Sequence, residues 1–258
     1  MAELAYETVE ARGAEPRLDP RTESAPQAVL DWFTAICEAE GWTLTIEPGC
    51  EAWLRVVERE GHWVNPCFDP TKSDVDETNT LSIVIERTAS GTFVAGNTLR
   101  VWRTSSFLDV IESGEIYYSK RAPEHRPLPL IRPGDYPDLS GLIGYSGGTV
   151  VDPALRGARV GLMTTRMARL LAEVSFRVDH HTGLCFYPPG ADATIPMFQF
   201  TRVHKILNAL NLAARVDDRP VHYLEMSREE FLAQSRRDID ELALKGEKKL
   251  ADLALLRA

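Results

Sequence analysis

The sequence lacks long apolar runs, an excess of positive charge and closely spaced cysteines. No apolar run approaches the roughly 20 residues that span a bilayer, so we expect no membrane span. The net charge of −9 argues against a nucleic-acid partner, which usually needs a basic surface, but it permits a local basic pocket. The four cysteines form no C-x-x-C pair, which indicates reduced thiols rather than disulfides or a zinc site.

The chain divides into three segments by composition. Residues 1–23 are polar and have no apolar signal core, so they predict a loose leader and a cytoplasmic protein. Residues 24–226 predict one α/β domain, whose first helix opens at a capping box that starts at Ser24. Residues 227–258 predict a C-terminal helix, which packs on the domain or on a second copy in a homodimer.

A segment rich in proline and glycine interrupts the domain. Residues 122–148 contain five prolines and five glycines, a density at which no regular element is expected. Its interspersed apolar residues favour a packed loop beside a binding site over a disordered spacer.

The clearest β-structure is a hairpin. Residues 81–87 and 92–103 predict two strands, joined by a turn at residues 88–91. Gly96-Asn97 indicates a β-bulge in the second strand. Residues 53–57 are compatible with either a strand or a helix.

The stretch from Gly147 to Gly161 has the strongest functional pattern. Residues 149–151 predict a short buried strand, which Pro153 ends. The apolar residues that follow have helical spacing. They are Val160, Met163, Met167, Leu170, Leu171 and Val174. Because a helix N-terminus presents unpaired N–H groups, and glycines and arginines lie beside it, we expect an anion to bind at this turn.

This stretch resembles the acyl-CoA-binding motif of the GCN5-related N-acetyltransferases, the GNAT superfamily. In that motif a strand is followed by Gln or Arg, two residues, Gly, one residue, and Gly or Ala. Arg156 fits the first position and Gly161 the last, whereas Arg159 replaces the middle glycine. The Arg159 side chain would either crowd a pyrophosphate or help to bind it.

The resemblance implies a fold, a cosubstrate and a reaction. The implied fold is α/β (α+β), a GNAT-like mixed and mostly antiparallel sheet flanked by helices, with helical extensions at both ends. The implied reaction is N-acylation of a small-molecule or protein amine by acetyl-CoA or another acyl-CoA, without a metal. The implied cofactor-binding residues are Val150, Val151, Arg156, Gly157, Ala158, Arg159, Val160 and Gly161.

Direct acyl transfer to an amine needs a base, donors for the thioester oxygen and an acid for the leaving thiolate. By analogy with related enzymes, Tyr187 is the candidate acid. Glu86, at the end of a hairpin strand, and His181 are the candidate bases. Each has a structural alternative: a tyrosine at a strand end, a solvated carboxylate and a loop histidine. His180 and His181 do not predict a metal site, because adjacent strand residues point to opposite faces.

Other functional classes stay open. The turn can be an ordinary strand–turn–helix joint, or the fold can bind a ligand or a partner protein without catalysis. Gly144 to Gly148 matches G-x-S-x-G, but a hydrolase elbow needs a strand before the serine and a helix after it. The sequence leaves the acyl acceptor, the acyl length and the oligomeric state undetermined.

Overall fold

The computed structural model describes residues 20–123, 138–186, 198–206 and 221–243. Within these ranges the chain forms seven β-strands and five α-helices. The strands are β1 (Trp42–Pro48), β2 (Thr80–Arg87), β3 (Phe93–Thr104), β4 (Gly141–Val151), β5 (His180–Phe186), β6 (Arg202–Ile206) and β7 (Val221–Ser227). The helices are α1 (Pro20–Ala39), α2 (Glu51–Arg59), α3 (Phe107–Glu112), α4 (Val160–Leu171) and α5 (Arg228–Ala243). A π-helical turn, Ala172–Phe176, extends α4.

The strands form one mixed sheet in the order β1-β2-β3-β4-β5-β7-β6. Every neighbouring pair is antiparallel except β4 and β5, which pair in parallel over three rows that end at Tyr145 and Thr182. Beyond this row β4 continues to Val151 and β5 to Phe186 without pairing to each other. The two strands therefore bound a wedge-shaped gap, which we call the β4/β5 wedge.

Helices cover both faces of the sheet. Helices α1, α4 and α5 pack on one face, which we call the α4 face, around residues such as Phe33, Met167 and Phe231. Helices α2 and α3 pack on the other face, the α2 face, around residues such as Trp53 and Phe107. The fold is thus a mixed, mostly antiparallel sheet flanked by helices, which confirms the predicted fold class.

A β-bulge bends β4 beside the wedge. Gly96 pairs with Val150 and Thr98 pairs with Gly147, so Asn97 faces two residues of β4. One of these two residues, Gly148, has a φ of 65°, where a Cβ atom would lie 2.8 Å from the Trp53 ring and from the Thr98 hydroxyl. The bulge predicted at Gly96-Asn97 therefore exists, with its extra residue in the opposite strand.

Other predicted boundaries need correction. Helix α1 begins at Pro20 rather than Ser24, because a proline suits the first turn of a helix and the following residues are compatible with helix. The predicted leader is therefore helical from residue 20, and residues 1–19 lie outside the described ranges. The hairpin strands agree with prediction to within one residue, and residues 53–57 belong to helix α2.

The predicted irregular segment at residues 122–148 is partly wrong. Residues 141–148 belong to β4, and residues 124–137 lie outside the described ranges. The glycines occur in this strand because neighbouring side chains approach it closely. A Cβ at Gly144 would lie 3.2 Å from Ala172, and one at Gly147 would lie 3.0 Å from the Phe68 ring.

The two predicted helices differ in how far the structure supports them. In α4 the predicted apolar face is buried from Val160 to Leu171, but Val174 is exposed. Helix α5 ends at Ala243 within the described residues, and it packs on α1 and β7. The part of the predicted C-terminal helix from residue 244 onward lies outside the described ranges.

Candidate functional site

An open groove of about 660 Å³ lies where β4 ends and α4 begins. Its floor is the last part of β4, and its wall is the turn that leads into α4. The lining residues are His62, Trp63, Thr149, Val150, Val151, Leu155, Arg156, Gly157, Arg159, Val160, Gly161, Leu162 and Phe198. Seven of the eight predicted cofactor-binding residues are in this set; the exception, Ala158, packs against the hydrophobic core on the α4 face.

The turn before α4 has an unusual backbone. Asp152 accepts a hydrogen bond from the Ala154 N–H at 2.9 Å and begins a 3₁₀ turn, Pro153–Leu155. Gly157 follows with a φ of 91°, and Arg159 has a φ of 63° at the N-cap of α4. The left-handed conformation costs a non-glycine residue roughly 1–2 kcal/mol. A glycine adopts the left-handed conformation without this cost, so the backbone conformation alone would favour glycine at the position that Arg159 occupies.

The first turn of α4 lies directly against β4. The N–H groups of Leu162 and Met163 bond to the Arg159 carbonyl, whereas the earlier N–H groups of a helix have no acceptor within it. A Cβ at Gly161 would lie 3.2 Å from the Val151 side chain and 3.5 Å from that of Thr149. Gly161 therefore allows the positive end of the helix to lie close to the strand in the groove.

His62 and Trp63 are groove residues that were not identified from the sequence. His62 and Trp63 follow α2 and reach the groove from the opposite side of the turn, and Trp63 is 44% exposed. The His62 N–H donates to the Val57 carbonyl at 2.9 Å, which fixes the segment to the end of α2. The only sequence signal was a histidine and a tryptophan a few residues after the apolar segment 53–57, and it did not indicate which element they would approach.

The candidate bases do not line the groove. Glu86 accepts a hydrogen bond at 3.1 Å from Arg59 of α2, so it lies on the α2 face. His181 is buried on the α4 face, with its ring centroid 4.1 Å from that of Phe231. Burial, and then the positive charge of Arg169, lowers the pKa of His181 well below its ordinary value. The structure therefore does not bring these two residues together, and Tyr187 lies outside the described ranges.

The structure also addresses two further sequence hypotheses. Ser146 lies inside β4 and the strand continues to Val151, so the hydrolase elbow at Gly144 to Gly148 is wrong. Across the described ranges, no group of three or more His, Cys, Asp or Glu side chains has an arrangement that could hold a metal ion. A helix long and apolar enough to cross a membrane is likewise not found in the part of the chain that the structure describes.

The strand order agrees with the mixed, mostly antiparallel sheet that the resemblance implies. Several solved acetyltransferase structures are similar to this chain. A dodecameric spermidine N-acetyltransferase from Vibrio cholerae is 7% identical, with a TM-score of 0.44, 76% of this chain covered and 99% of that chain. Arabidopsis thaliana NAA60 in complex with acetyl-CoA is 11% identical, with a TM-score of 0.40 and coverages of 72% and 99%. The ribosomal-protein-S5-alanine acetyltransferase from Vibrio fischeri is 8% identical, with a TM-score of 0.36 and coverages of 81% and 91%.

No protein-family model and no curated protein matches the sequence. At identities this low, the similarity to solved structures concerns the fold alone. The substrates named for those acetyltransferases are therefore not assigned to this chain.

Proposed function

We propose that the protein is an acyl-CoA-dependent N-acyltransferase, with acetyl-CoA as the simplest donor. The observation that carries this proposal is the groove, which joins the N-terminus of α4 to the unpaired edge of β4. The acceptor would be an amine of a small molecule or of a protein. A cytoplasmic location and a homodimer stay predictions.

The groove has the chemistry that an acyl-CoA requires. The N–H groups at the start of α4 and the Arg156 guanidinium, both in the groove lining, favour a pyrophosphate. Apart from its chain neighbours, no described residue has an atom within 4 Å of the Cβ position at Gly157, so this side of the turn is open toward the described part of the chain. Beyond Tyr145 the edge of β4 that faces β5 has no strand partner among the residues that the structure describes, so its backbone groups can pair with the amides of an extended ligand.

Acyl-CoA would supply an activated thioester carbonyl. In the transfer, the amine nitrogen bonds to the carbonyl carbon, the C–S bond breaks, and one proton passes from the amine to a base while the thiolate takes a proton from an acid. Backbone N–H groups of β4 at the wedge are the candidate donors for the carbonyl oxygen. Tyr187 stays the proposed acid, and Glu86 and His181 stay proposed bases that require a mutational test.

A second function has a specific observation in its favour. Neither Glu86 nor His181 lines the groove, so the site can bind a CoA-like ligand without the predicted catalytic groups beside it. A non-catalytic GNAT-like protein that binds a ligand or a partner is therefore the alternative.

Two measurements test the proposal and separate it from the alternative. Calorimetry with CoA and acetyl-CoA tests binding, and absence of detectable heat at millimolar ligand would contradict both functions. Release of free CoA thiol from acetyl-CoA, measured across a panel of polyamines, amino acids and peptide N-termini, tests transfer. Binding without thiol release above the protein-free rate for any amine would favour the non-catalytic alternative.

A further inference from the structure

A group of charged side chains is buried on the α4 face, between α4 and α5. Arg166 is held by Asp238 and Gln234 of α5, and it also donates to the Gln199 side chain at 2.8 Å. A second buried carboxylate, on the π-helical turn after α4, accepts bonds from Arg228. Two of the three arginines in this group therefore have carboxylate partners, as buried charges require.

Arg169 is the third arginine, and it has no carboxylate partner in the described ranges. Its side chain is only 2% exposed. One of its nitrogens donates to the Phe198 carbonyl at 2.6 Å, and its guanidinium lies 4.4 Å from the centroid of the Phe200 ring. Its Nε and Nη1 atoms are buried without an acceptor among the residues that the structure describes. Such a group is costly, because a buried donor that leaves water needs a partner.

The position of Arg169 connects it to the proposed acyl-CoA site. The Phe200 ring that it covers lies 3.6 Å from the Cβ position of Gly183, the first residue of β5 beyond the paired rows. The same Cβ position is 3.5 Å from the Ser146 carbonyl of β4, so the Phe200 ring connects the Arg169 guanidinium to the closed end of the wedge. Phe198, to which it donates, lines the groove itself. Along α4, Arg169 is about 12 Å below the first turn at Gly161.

Other polar atoms near this end of the wedge also lack partners in the described part of the chain. The Ser146 hydroxyl and both ring nitrogens of His181 are buried without a hydrogen bond there. Like Arg169, His181 packs near Phe231, with the Arg169 guanidinium 6.0 Å and the His181 ring 4.1 Å from the Phe231 ring centroid. Unpartnered donors, a buried cation and a nearby hydroxyl are together the features of an anion site.

We propose that the closed end of the β4/β5 wedge binds a carboxylate, which Arg169 receives through its unpartnered N–H groups. A carboxylate fits better than a phosphate, because among the described residues this group has three guanidinium groups and two carboxylates, which leaves one positive charge for one negative charge. The proposal deepens the acyltransferase function, on which it rests, and the carboxylate can belong to either substrate. It is either the end of a dicarboxylic acyl group on the donor or the carboxylate of an amino-acid acceptor.

The donor arm of the test compares succinyl-CoA with butyryl-CoA, which has an acyl chain of similar length without the charge. Calorimetry would be run on the wild type, on Arg169→Met and Arg169→Gln, and on Arg55→Met as a control for an exposed arginine. If the carboxylate belongs to the donor, the wild type and the control bind succinyl-CoA about tenfold or more tighter than butyryl-CoA, and both Arg169 variants lose this preference. CoA itself should bind all four proteins equally.

The acceptor arm uses the protein saturated with CoA. It compares lysine with cadaverine and phenylalanine with phenethylamine, pairs that differ in the carboxylate. A preference for the amino acid that depends on Arg169 would place the carboxylate on the acceptor. Thermal shift with succinate against succinamide tests the same site without CoA.

The outcomes separate the carboxylate site from the enzyme function. If CoA binds but none of the three comparisons shows a preference that depends on Arg169, the carboxylate site is refuted and the acyltransferase proposal stands. If CoA does not bind, the acyltransferase proposal fails, and the succinate comparison alone decides the anion site. Melting of each unliganded variant checks the fold, and Arg169→Gln keeps a donor for Phe198 if Arg169→Met is unstable.

Discussion

The backbone at Arg159 allows a prediction whose size can be worked out from the structure. Arg159 has a φ of 63°, in the left-handed region, at the N-cap of α4. We compare Arg159→Gly with Arg159→Ala, because both variants lose every contact of the arginine side chain. They differ only in the Cβ atom and in the freedom of the unfolded chain.

The Cβ atom in the left-handed conformation costs roughly 1–2 kcal/mol. Glycine, in turn, loses more conformational freedom on folding than alanine does, which costs about 0.5–1 kcal/mol. We therefore expect Arg159→Gly to be more stable than Arg159→Ala by about 0.5–1 kcal/mol. For a domain of this size, that difference corresponds to about 1–4 °C in melting temperature.

Urea denaturation of the two variants would measure the difference in the free energy of unfolding directly. Calorimetry with CoA on the same proteins asks a separate question, since both lack the arginine charge. Equal CoA affinity in both variants and the wild type would show that this charge does not help to bind the pyrophosphate. If Arg159→Ala proves as stable as Arg159→Gly, the argument from the left-handed backbone is refuted.

Three further predictions concern the groove and the start of α5. Arg156→Glu should weaken CoA binding about tenfold or more in calorimetry, whereas Arg55→Glu, at an exposed position of α2, should leave CoA binding unchanged. Equal effects of the two substitutions would show that Arg156 is not part of the site. Gly161→Leu should lower the free energy of unfolding by about 1–3 kcal/mol in urea denaturation, because the added side chain forces α4 away from β4. The same displacement should weaken CoA binding. An unchanged free energy of unfolding would contradict the close packing of α4 on β4. Burial acts to raise the pKa of the Glu230 carboxyl, but hydrogen bonds from Ser227 at the end of β7 and from the Arg202 guanidinium outweigh it and lower the pKa to about 2. The contribution of the ionised Glu230 carboxylate to stability is therefore complete above the ordinary pKa of 4.5 and is lost as the pH falls toward 2. In calorimetric melting, Glu230→Gln should be less stable than the wild type at pH 7, and the difference should shrink below pH 4.5. A difference that stays constant with pH would contradict this.

Local sequence patterns predicted those parts of the fold that depend on local interactions. In the sequence, the hairpin of β2 and β3 is two runs of β-forming residues with a short turn between them, and α4 has apolar residues at helical spacing. Both patterns record which face a segment buries, and that information lies within a few residues.

The start of β4 could not be predicted in the same way. Gly141, Gly144 and Gly147 were interpreted as loop residues, because glycine is unfavourable in an isolated strand. In the structure, side chains from α2-face and α4-face elements occupy the space that a Cβ would fill at Gly144 and Gly147. The reason for glycine in this strand is therefore a set of contacts between residues that are distant in the sequence.

The same distinction explains what the sequence could indicate about the site. The turn predicted to bind an anion is continuous in sequence, so its residues could be named from the pattern, and seven of the eight predicted residues line the groove. The wedge is not continuous, because its two edges are β4 and β5 and its closed end is set by the row at which they stop pairing. Whether His181 faces the groove or the interior depends on that register and on the position of α5.

The register also makes Arg169 and His181 neighbours on one buried surface. On α4 alone, Arg169 is one more residue of an amphipathic helix, and an arginine beside the apolar stripe would be assigned to solvent. Side chains of α5 reach this side of α4, where Gln234 and Asp238 bond to Arg166, and Phe198 and Phe200 contact the Arg169 guanidinium. A fold that only needed stability could place an apolar side chain here, since buried charges are rarely stabilising. The retained charge is therefore best explained by a ligand, and the comparison of succinyl-CoA with butyryl-CoA tests that explanation on the donor side.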